Sequence, residues 1–394
     1  LNYETYSGIT SLPILVTRYM IRRSAHTRGL KRLFYLLATE FCKSILFIEA
    51  LFRYDVFLFN FKKSFFRFNL DLPLLRLFGK KIIFNLSFGS DSRPVYCNGK
   101  FAEFDVKKMI SSTKSHSRSI SWIEFFSNIV IANSTHAHFF NQPFVDISNF
   151  PSPPVKMDLI EQAMHEQDYE SIFKNNNDKI KILHAPSNRA FKGSDNIKDA
   201  VISLQNQGYL LEYIETENMP HQMLLRSIFE ADIVIDQIYT DYMMPVLSTE
   251  CAWLKTPVIN AGYIYADPYF KNIFPKDMPI QASLPSDFIQ SLKSLLDSST
   301  LRDELKERAY AYVSENKKHA VLVKEYLKII TQHKDSLDLT DPHQCSYIFG
   351  GGLSKEALKR NIQAMVNAGG FEALRLGKKE LLLLKYKELL ETDE

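Results

Sequence analysis

Short apolar runs alternate with amphipathic runs along most of the chain. YDVFLF (54–59), KKIIFNLS (80–87) and NIVIAN (128–133) are rich in β-branched and aromatic residues. Such runs are typical of buried strands, and the amphipathic stretches between them are typical of helices. The first third of the chain therefore predicts strands that alternate with helices.

The same alternation resumes near residue 179. Four further strands are predicted: KIKILHA (179–185), YLLEYIE (209–215), DIVIDQ (232–237) and PVINAG (257–262). Between the first two, apolar residues recur at helical spacing from Ile197 to Leu204, which predicts one buried helix face. Alternation with short connections favours a parallel sheet with helices on both faces.

A proline-rich stretch separates the two units. NFPSPPVKMD (149–158) predicts an extended linker. We therefore expect an α/β protein with two Rossmann-like domains, over residues 1–150 and 151–334, that face each other across a cleft. A helical C-terminal extension is expected over residues 335–394. The chain begins with leucine rather than methionine, so an opening strand of the first domain is expected to be missing.

The end of the chain is predicted to be helical. Residues 286–334 form helices in this interpretation, with Ser286 as the first N-cap. The last helix, KKELLLLKYKELLE (378–391), is expected to pack on the second domain, with subunit pairing as the alternative. GGGLSK (350–355) is interpreted as a hinge, because it lacks the ending of a phosphate-binding loop.

The charge is distributed unevenly although the net charge is only +3. Residues 1–150 contain 20 Lys and Arg against 10 Asp and Glu, whereas residues 151–394 contain 28 against 35. The basic part is also rich in phenylalanine, as in FKKSFFRF (61–68). This composition suits an anionic membrane surface or single-stranded nucleic acid, or a phenylalanine core with solvated lysines. A membrane partner is expected, and a nucleic-acid partner is not.

The cysteines and the most apolar stretch of the chain indicate where in the cell the protein is expected to be. The four cysteines are scattered without CxxC pairing, which favours reduced thiols in the cytosol. The most apolar stretch, residues 33–52, contains Glu40, Lys43 and Glu49, and a membrane span of about 20 residues rarely holds three charges. We expect a cytoplasmic protein that binds peripherally to the inner face of the membrane. The oligomeric state stays open.

The turn after the strand KIKIL carries a pattern suited to phosphate. HAPSNRAFKGSDNI (184–197) contains Arg189 and Lys192, with Gly193 beside them. Ligands of doubly wound sheets bind outside the carboxyl ends of the strands, and arginine and lysine bind phosphate oxygens there. We expect a phosphate clamp at this turn; a solvated basic loop is the alternative.

Three carboxylates follow near the same edge. Asp236 ends a strand, Asp241 lies in a loop and Glu250 lies on the next helix. Ionised carboxylates accept hydrogen bonds from sugar hydroxyls, and the helix start at 244–249 would offer backbone N–H groups to phosphate. Buried structural acids are the alternative for Asp236 and Glu250.

Several ordered motifs resemble a known family. HAPSNRAFKGSDNI, YIETENMPH, EADIVIDQ and STECAWLKTPVIN resemble the C-terminal domain of the family-4-like retaining glycosyltransferases with the GT-B fold. LDLPLLRLFGKKIIFNLSFGSDSRP resembles the stretch that ends in their acceptor loop. Bacterial capsule and lipopolysaccharide enzymes are typical members. The resemblance covers about residues 54–330.

The resemblance implies roles for individual residues. Arg189 and Lys192 match the pair that holds the donor diphosphate, and Glu250 matches the glutamate that binds the donor ribose. The full donor site expected from motif, turn and helix start is Asn188, Arg189, Lys192, Gly193, Asn218, His221, Asp236, Ser248, Thr249 and Glu250. The implied acceptor loop contains Gly89, Ser90 and Arg93, and the candidate catalytic carboxylates are Asp91 and Asp241.

Two positions depart from the family pattern. The acid expected eight residues before Glu250 is Tyr242, in a segment without glycine, TDYMMPVLST (240–249). The histidine expected before the acceptor loop is Phe88. STHAHFF (134–140) has two histidines at i and i+2, and is interpreted as an ordinary loop.

The implied reaction is transfer of a sugar from a nucleotide diphosphate-sugar to a hydroxyl of a glycan or lipid-linked acceptor. The enzyme would be of the hexosyltransferase type, would retain configuration, and would act in surface-polysaccharide biosynthesis. No D-x-D pair is present, so we expect no metal and no cofactor. A catalytically silent GT-B scaffold subunit and a GT-B nucleotide-sugar epimerase are the alternatives.

Overall fold

The computed structural model describes residues 28–148, 160 and 179–392. These residues contain two separate sheets, both entirely parallel. The predicted linker and the opening of the chain lie outside the described residues. Within those residues, no helix combines the length and apolar character that crossing a bilayer requires.

The first sheet has four strands that neighbour one another in chain order. They are β1 (Val56–Asn60), β2 (Lys81–Asn85), β3 (Ile129–Ala132) and β4 (Val145–Asp146). The helices of this unit are α1 (Gly29–Arg53), α2 (Leu72–Leu77) and α3 (Val106–Phe126). Every residue of β3 is buried, because a parallel sheet is covered on both faces. The three strands expected from the apolar runs are confirmed.

The second sheet has five strands in the order β6-β5-β7-β8-β9. They are β5 (Ile180–His184), β6 (Leu211–Glu215), β7 (Ile233–Gln237), β8 (Val258–Ala261) and β9 (Gln281–Ser283). The intervening helices are α4 (Arg189–Lys192), α5 (Ser194–Asn206), α6 (His221–Glu230), α7 (Val246–Trp253) and α8 (Pro268–Ile273). The direction of strand addition reverses between β5 and β7, which creates a crevice outside their carboxyl ends.

Five helices complete the described chain. They are α9 (Phe288–Asp297), α10 (Ser299–Asn316), α11 (His319–Thr331), α12 (Lys355–Gly369) and α13 (Glu380–Glu391). The expected cap at Ser286 is wrong, because this residue lies in a separate single turn before α9. Asp287 stands at the N-cap of α9 without a side-chain hydrogen bond, whereas Ser298 caps the next helix, α10, by accepting a hydrogen bond from Leu301 N (3.1 Å).

The last two helices pack on the first sheet, and the expectation that the terminal helix packs on the second domain is wrong. Ile362 and Met365 of α12 and Tyr386 of α13 are fully buried in the same core as Phe84 of β2. The chain returns through α11, whose last turn is bound by Lys81. The Lys81 amine donates to the carbonyls of residues 329, 330 and 332 at 2.8–2.9 Å, and a cation there suits the helix dipole.

Candidate active site

The predicted phosphate turn lies at the crevice of the second sheet. It folds into the short helix α4, which Asn188 caps by accepting a hydrogen bond from Phe191 N (2.8 Å). Gly193 follows with φ of +71°, and a Cβ there would lie 3.2 Å from Ile238 Cβ. Asn188 and Gly193 therefore shape the turn that carries the two cations.

Both cations of the turn face carboxylates. Arg189 has a side chain that is 39% exposed, and it pairs with Asp195 (Nη2 to Oδ1, 2.7 Å) and with Glu215. Lys192 is largely buried and donates to Asp236 Oδ1 (2.6 Å). A solvated basic loop does not fit this burial. The two cations of the turn are held by carboxylates of α5, β6 and β7.

Asp236 connects the turn to the start of α7. Its second oxygen accepts from Ser248 Oγ (2.6 Å), which in turn accepts from Asn260 Nδ2 (2.9 Å). All three residues are fully buried. An ionised carboxylate in the interior requires partners of this kind, and here they hold the Lys192 amine in one place.

Glu250 is bound by a histidine from the neighbouring helix. His221 Nε2 donates to Glu250 Oε1 (2.7 Å). Burial raises the pKa of Glu250, and the hydrogen bond from His221 lowers it. Asn218 is exposed, with φ of +55°, in the turn before α6. Thr249 Oγ1 donates to Pro245 O (3.2 Å) and thus serves its own helix.

The predicted acceptor loop leaves the carboxyl end of β2. Gly89, Ser90 and Asp91 form one helical turn, with Ser90 exposed and Asp91 buried. Asp91 Oδ2 has no hydrogen-bond partner among the described residues. Burial raises the pKa of Asp91 to about 6, although the charges of Lys62 and Lys63 lower it. A carboxyl with this pKa can exchange a proton near neutral pH.

A buried ionic cluster joins the two domains. Asp241 Oδ2 accepts from Arg93 Nε (2.9 Å) and from His136 Nε2 (2.7 Å), and Arg93 Nη2 contacts the same oxygen. Burial raises the pKa of Asp241, but Arg93 and His136 outweigh this effect and bring it to about 2. Burial lowers the pKa of His136, so its ring is neutral. Arg93 was expected to bind the acceptor and Asp241 to act in catalysis; in the structure each binds the other.

Tyr242 adds a second contact between the domains. Its hydroxyl donates to Ser87 O (2.8 Å) and accepts from Gly89 N (3.2 Å). Tyr242 stands where the resemblance implies an acid, and its hydroxyl binds the acceptor loop instead. The contact brings this loop to the edge of the second domain.

Residues 350–352, here called the glycine wedge, lie between the domains. Their φ values are +100°, +67° and +80°. A Cβ on the first glycine would lie 2.4 Å from Asp241 Cβ, on the second 2.3 Å from Cys97 O, and on the third 2.4 Å from Phe191 O. The wedge is packed against both domains on three sides, so the interpretation as a hinge is wrong.

Sequence reasoning missed three parts of this site: His136, the bridging role of Tyr242, and the wedge. His136 follows β3 by four residues, so it leaves the same sheet edge as the acceptor loop. That position was the available signal. The glycine-wedge neighbours Asp241, Cys97 and Phe191 are each separated from it by more than a hundred residues, and no local pattern encodes such contacts.

Three solved structures illustrate what the chain is similar to. The α,α-trehalose-phosphate synthase (UDP-forming) from Burkholderia vietnamiensis matches with a TM-score of 0.52 and 10% identity, over 82% of this chain and 80% of that one. Anabaena HepE in complex with UDP has a TM-score of 0.44 and 11% identity, over 74% and 82%. WaaG, a glycosyltransferase involved in lipopolysaccharide biosynthesis, has 0.41 and 14%, over 68% and 85%.

The first of these similarities extends over four-fifths of both chains. It confirms the expected α/β GT-B fold with two Rossmann-like domains. No protein-family model matches the chain. No curated protein matches it either.

Proposed function

We propose that the protein is a glycosyltransferase that moves a sugar from a nucleotide diphosphate-sugar to a hydroxyl of a glycan or lipid-linked acceptor. The observation that carries this proposal is the ion pair of Lys192 with Asp236 at the crevice between β5 and β7, close enough to Glu250 for the charge of Asp236 to act on its carboxyl group. Doubly wound sheets bind nucleotides at such a point. Two cations suit a diphosphate, and a buried carboxylate suits ribose hydroxyls.

The paired state of the two cations is compatible with this role. An ammonium group has three N–H donors, and Asp236 takes one from Lys192. Arg189 has five donors and a partly exposed side chain. Both residues therefore keep donors for phosphate oxygens, while their carboxylate partners hold them in position.

The difficult step of the reaction is departure of the diphosphate. Negative charge grows on the phosphate oxygens as the bond to the sugar breaks, and fixed donors stabilise it. Losing one such donor typically lowers the rate by about 10²–10³. Arg189 and Lys192 would supply this stabilisation, so we propose a metal-independent reaction. Retention of configuration is proposed on the family resemblance alone.

The other reactant is proposed to bind on the first domain. Asp91 has a free carboxylate oxygen and lies two residues from Gly89, which contacts Tyr242 of the second domain. This position supports Asp91 as the group that accepts the proton of the acceptor hydroxyl. Gly89 and Ser90 would line the same side.

We further propose that the first domain binds the cytoplasmic face of an anionic membrane, near a lipid-linked acceptor of surface-polysaccharide biosynthesis. Of 28 exposed large apolar side chains among the described residues, 18 lie between Leu30 and Phe125. Helix α1 alone carries nine of them. Apolar side chains mixed with lysine and arginine suit such a surface.

Sedimentation with phosphatidylglycerol vesicles tests the membrane proposal. Binding should fall as salt rises, because the charges are screened. Replacing Leu37 and Phe41 of α1 with glutamate should abolish it. The matched control introduces glutamate at Val323 and Leu327, which are exposed at the same spacing on α11. This control should bind the vesicles as the wild type does. Binding that is insensitive to both salt and the α1 variant contradicts the proposal.

A catalytically silent GT-B subunit is a second candidate, because one specific observation favours it. Asp241 is neutralised by Arg93, and Tyr242 occupies the place of an acid. A silent subunit would bind a nucleotide and would release no nucleoside diphosphate when an acceptor is added. Turnover therefore separates the two candidates.

Donor binding is tested first with UDP, since the Burkholderia synthase is named as UDP-forming. UDP should raise the melting temperature, because a ligand of the folded state stabilises it. Arg189→Ala, alone and with Lys192→Ala, should remove this shift. Lys198→Ala, an exposed lysine on α5, should preserve it. A UDP-induced melting shift that is unchanged in Arg189→Ala contradicts the phosphate clamp. The donor sugar is then identified by repeating the melts with a set of nucleotide sugars.

A further inference from the structure

The loop between β1 and α2 is held in a strained shape. Phe61 and Lys62 have φ of +57° and +56°, a region that non-glycine residues seldom adopt. Ser64 fixes the loop, because its Oγ donates to Asp71 Oδ1 (2.5 Å) and its N donates to Asn69 Oδ1 (2.9 Å). Asp71 and Asn69 are buried. Strain that the surroundings enforce in this way is often associated with function.

This loop lies directly beside the acceptor loop. β1 and β2 are parallel neighbours with Asn60 opposite Asn85, so the chain leaves both strands at the same edge. Phe61 stacks on Phe88 with ring centroids 4.6 Å apart, and Phe61 is half exposed. The aromatic pair therefore joins the two loops, and the Phe61 ring remains open to solvent.

Two lysines and one carboxyl group belong to these two loops. Burial lowers the pKa of Lys62, and the charge of Asp91 raises it. Lys63 is exposed, and its charge lowers the pKa of Asp91. Since Asp91 Oδ2 has no hydrogen-bond partner among the described residues, neither ammonium group is bonded to it. The lysines are near the carboxyl group, yet they remain available to another anion.

We propose that Lys62 and Lys63 bind a phosphate group of the acceptor, beside the apolar wall of Phe61 and Phe88, and thereby place the acceptor hydroxyl at Asp91. This proposal rests on the transferase function proposed above and adds the substrate class of its acceptor. The acceptor is a phosphorylated molecule, either a lipid phosphate or a water-soluble sugar phosphate. The strained loop fixes the distance between the phosphate and the hydroxyl.

The surroundings of Asp91 are compatible with a bound anion. His116 Nε2 donates to the Asp91 backbone carbonyl (2.8 Å), which fixes the loop. A phosphate nearby repels the ionised carboxylate, whereas the charges of Lys62 and Lys63 favour the ionised form of Asp91, which is the form that can accept a proton from the acceptor hydroxyl. The two lysines offset the remaining repulsion. The site therefore accepts a phosphate without an unpaired negative charge.

Binding of inorganic phosphate in the presence of saturating UDP tests the proposal, because UDP blocks the donor site. The variant is Lys62→Asn with Lys63→Gln, since asparagine tolerates a positive φ. We expect the wild type to show saturable stabilisation by phosphate, and the variant to bind phosphate at least 10-fold more weakly. The control, Lys107→Ala with Lys114→Ala, removes two exposed lysines of α3 and should bind as the wild type does. Lys63→Gln alone serves if the double variant does not fold.

Two further arms identify the source of the phosphate. Vesicles that contain an isoprenyl phosphate and a soluble glucose phosphate are compared as acceptors, with release of UDP from UDP-sugars as the readout. The lysine variant should raise the KM for the acceptor that works and leave the UDP-induced melting shift unchanged. Phosphate binding that survives in the variant, or a wild type that ignores phosphate, overturns the proposal. A protein that binds neither UDP nor any nucleotide sugar of the set contradicts the transferase function instead, and phosphate binding is then measured without a nucleotide.

Discussion

Replacing Gly351 with alanine tests whether the glycine wedge fixes the two domains. Alanine at φ of +67° would adopt a left-handed conformation that costs about 1–2 kcal/mol. Its Cβ would also lie 2.3 Å from Cys97 O and 2.7 Å from Arg93 Cδ, so packed backbone must move. Overpacking of this kind costs about 1–3 kcal/mol. We expect the free energy of unfolding to fall by about 2–5 kcal/mol in total.

Gly79→Ala is the matched control. Gly79 has φ of +68°, and a Cβ there would meet nothing within 4 Å. Only the conformational cost applies, so a loss of about 1–2 kcal/mol is expected. The difference between the two variants isolates the collision at the domain boundary.

Urea denaturation followed by tryptophan fluorescence provides the measurement. The chain has two tryptophans, and Trp122 lies on α3 of the first domain while Trp253 lies on α7 of the second. Replacing either one with phenylalanine leaves a reporter for one domain. The Gly351 variant should shift both reporters, because the wedge contacts both domains. Equal losses for the two glycine variants would refute the reasoning.

Three further predictions concern charge. Asp91→Asn should raise stability at pH 8 and leave it unchanged near pH 4. The pKa of Asp91 is about 6 in the folded state, above its ordinary 3.8, so the wild-type protein loses stability as pH rises from 3.8 to 6 and the asparagine variant does not. Thermal melts of both proteins at pH 4 and pH 8 measure the difference. Burial lowers the pKa of His116 and His184 to about 4 and that of His138 to about 3. The stability that these neutral histidines contribute to the folded state is therefore complete above pH 6.5 and is lost as pH falls towards 4. The slope should reach about 1.4 kcal/mol per pH unit for each histidine, read from urea midpoints in the Asp91→Asn background, which removes the opposite trend of Asp91 and leaves the smaller opposite trends of Glu124 and Glu250, whose pKa values are also raised. Asp241→Asn leaves Arg93 as an unpaired buried charge and should cost about 3–5 kcal/mol in denaturant unfolding, whereas Arg93→Met in the same chain should recover part of the loss.

The strands and the position of the turn that carries Arg189 and Lys192 could be predicted because their signals are local. A buried parallel strand is an apolar run, and the sheet edge that binds ligands follows from strand direction. Arg189, Lys192 and Asp236 were therefore expected at one edge, and the structure has them there.

The partners of these charges could not be predicted. Nothing near Arg93 in the sequence indicates that Asp241, 148 residues later, neutralises it. The apolar face of the terminal helix was visible, but such a face fits either domain equally well. The chain returns to the first sheet through α11, whose end is bound by Lys81, and the terminal helix therefore covers that sheet.

The burial of α12 and α13 in the first core has a consequence for biosynthesis. Cys97 contacts Tyr386, 289 residues later in the chain. At ribosomal speeds of about 5–20 residues per second, roughly 15–60 s separate the synthesis of these two residues. The first sheet therefore waits for its covering helices, while the second sheet, all of whose strands precede α12 in the chain, can assemble. During this delay the unfinished core is a surface that chaperones can bind.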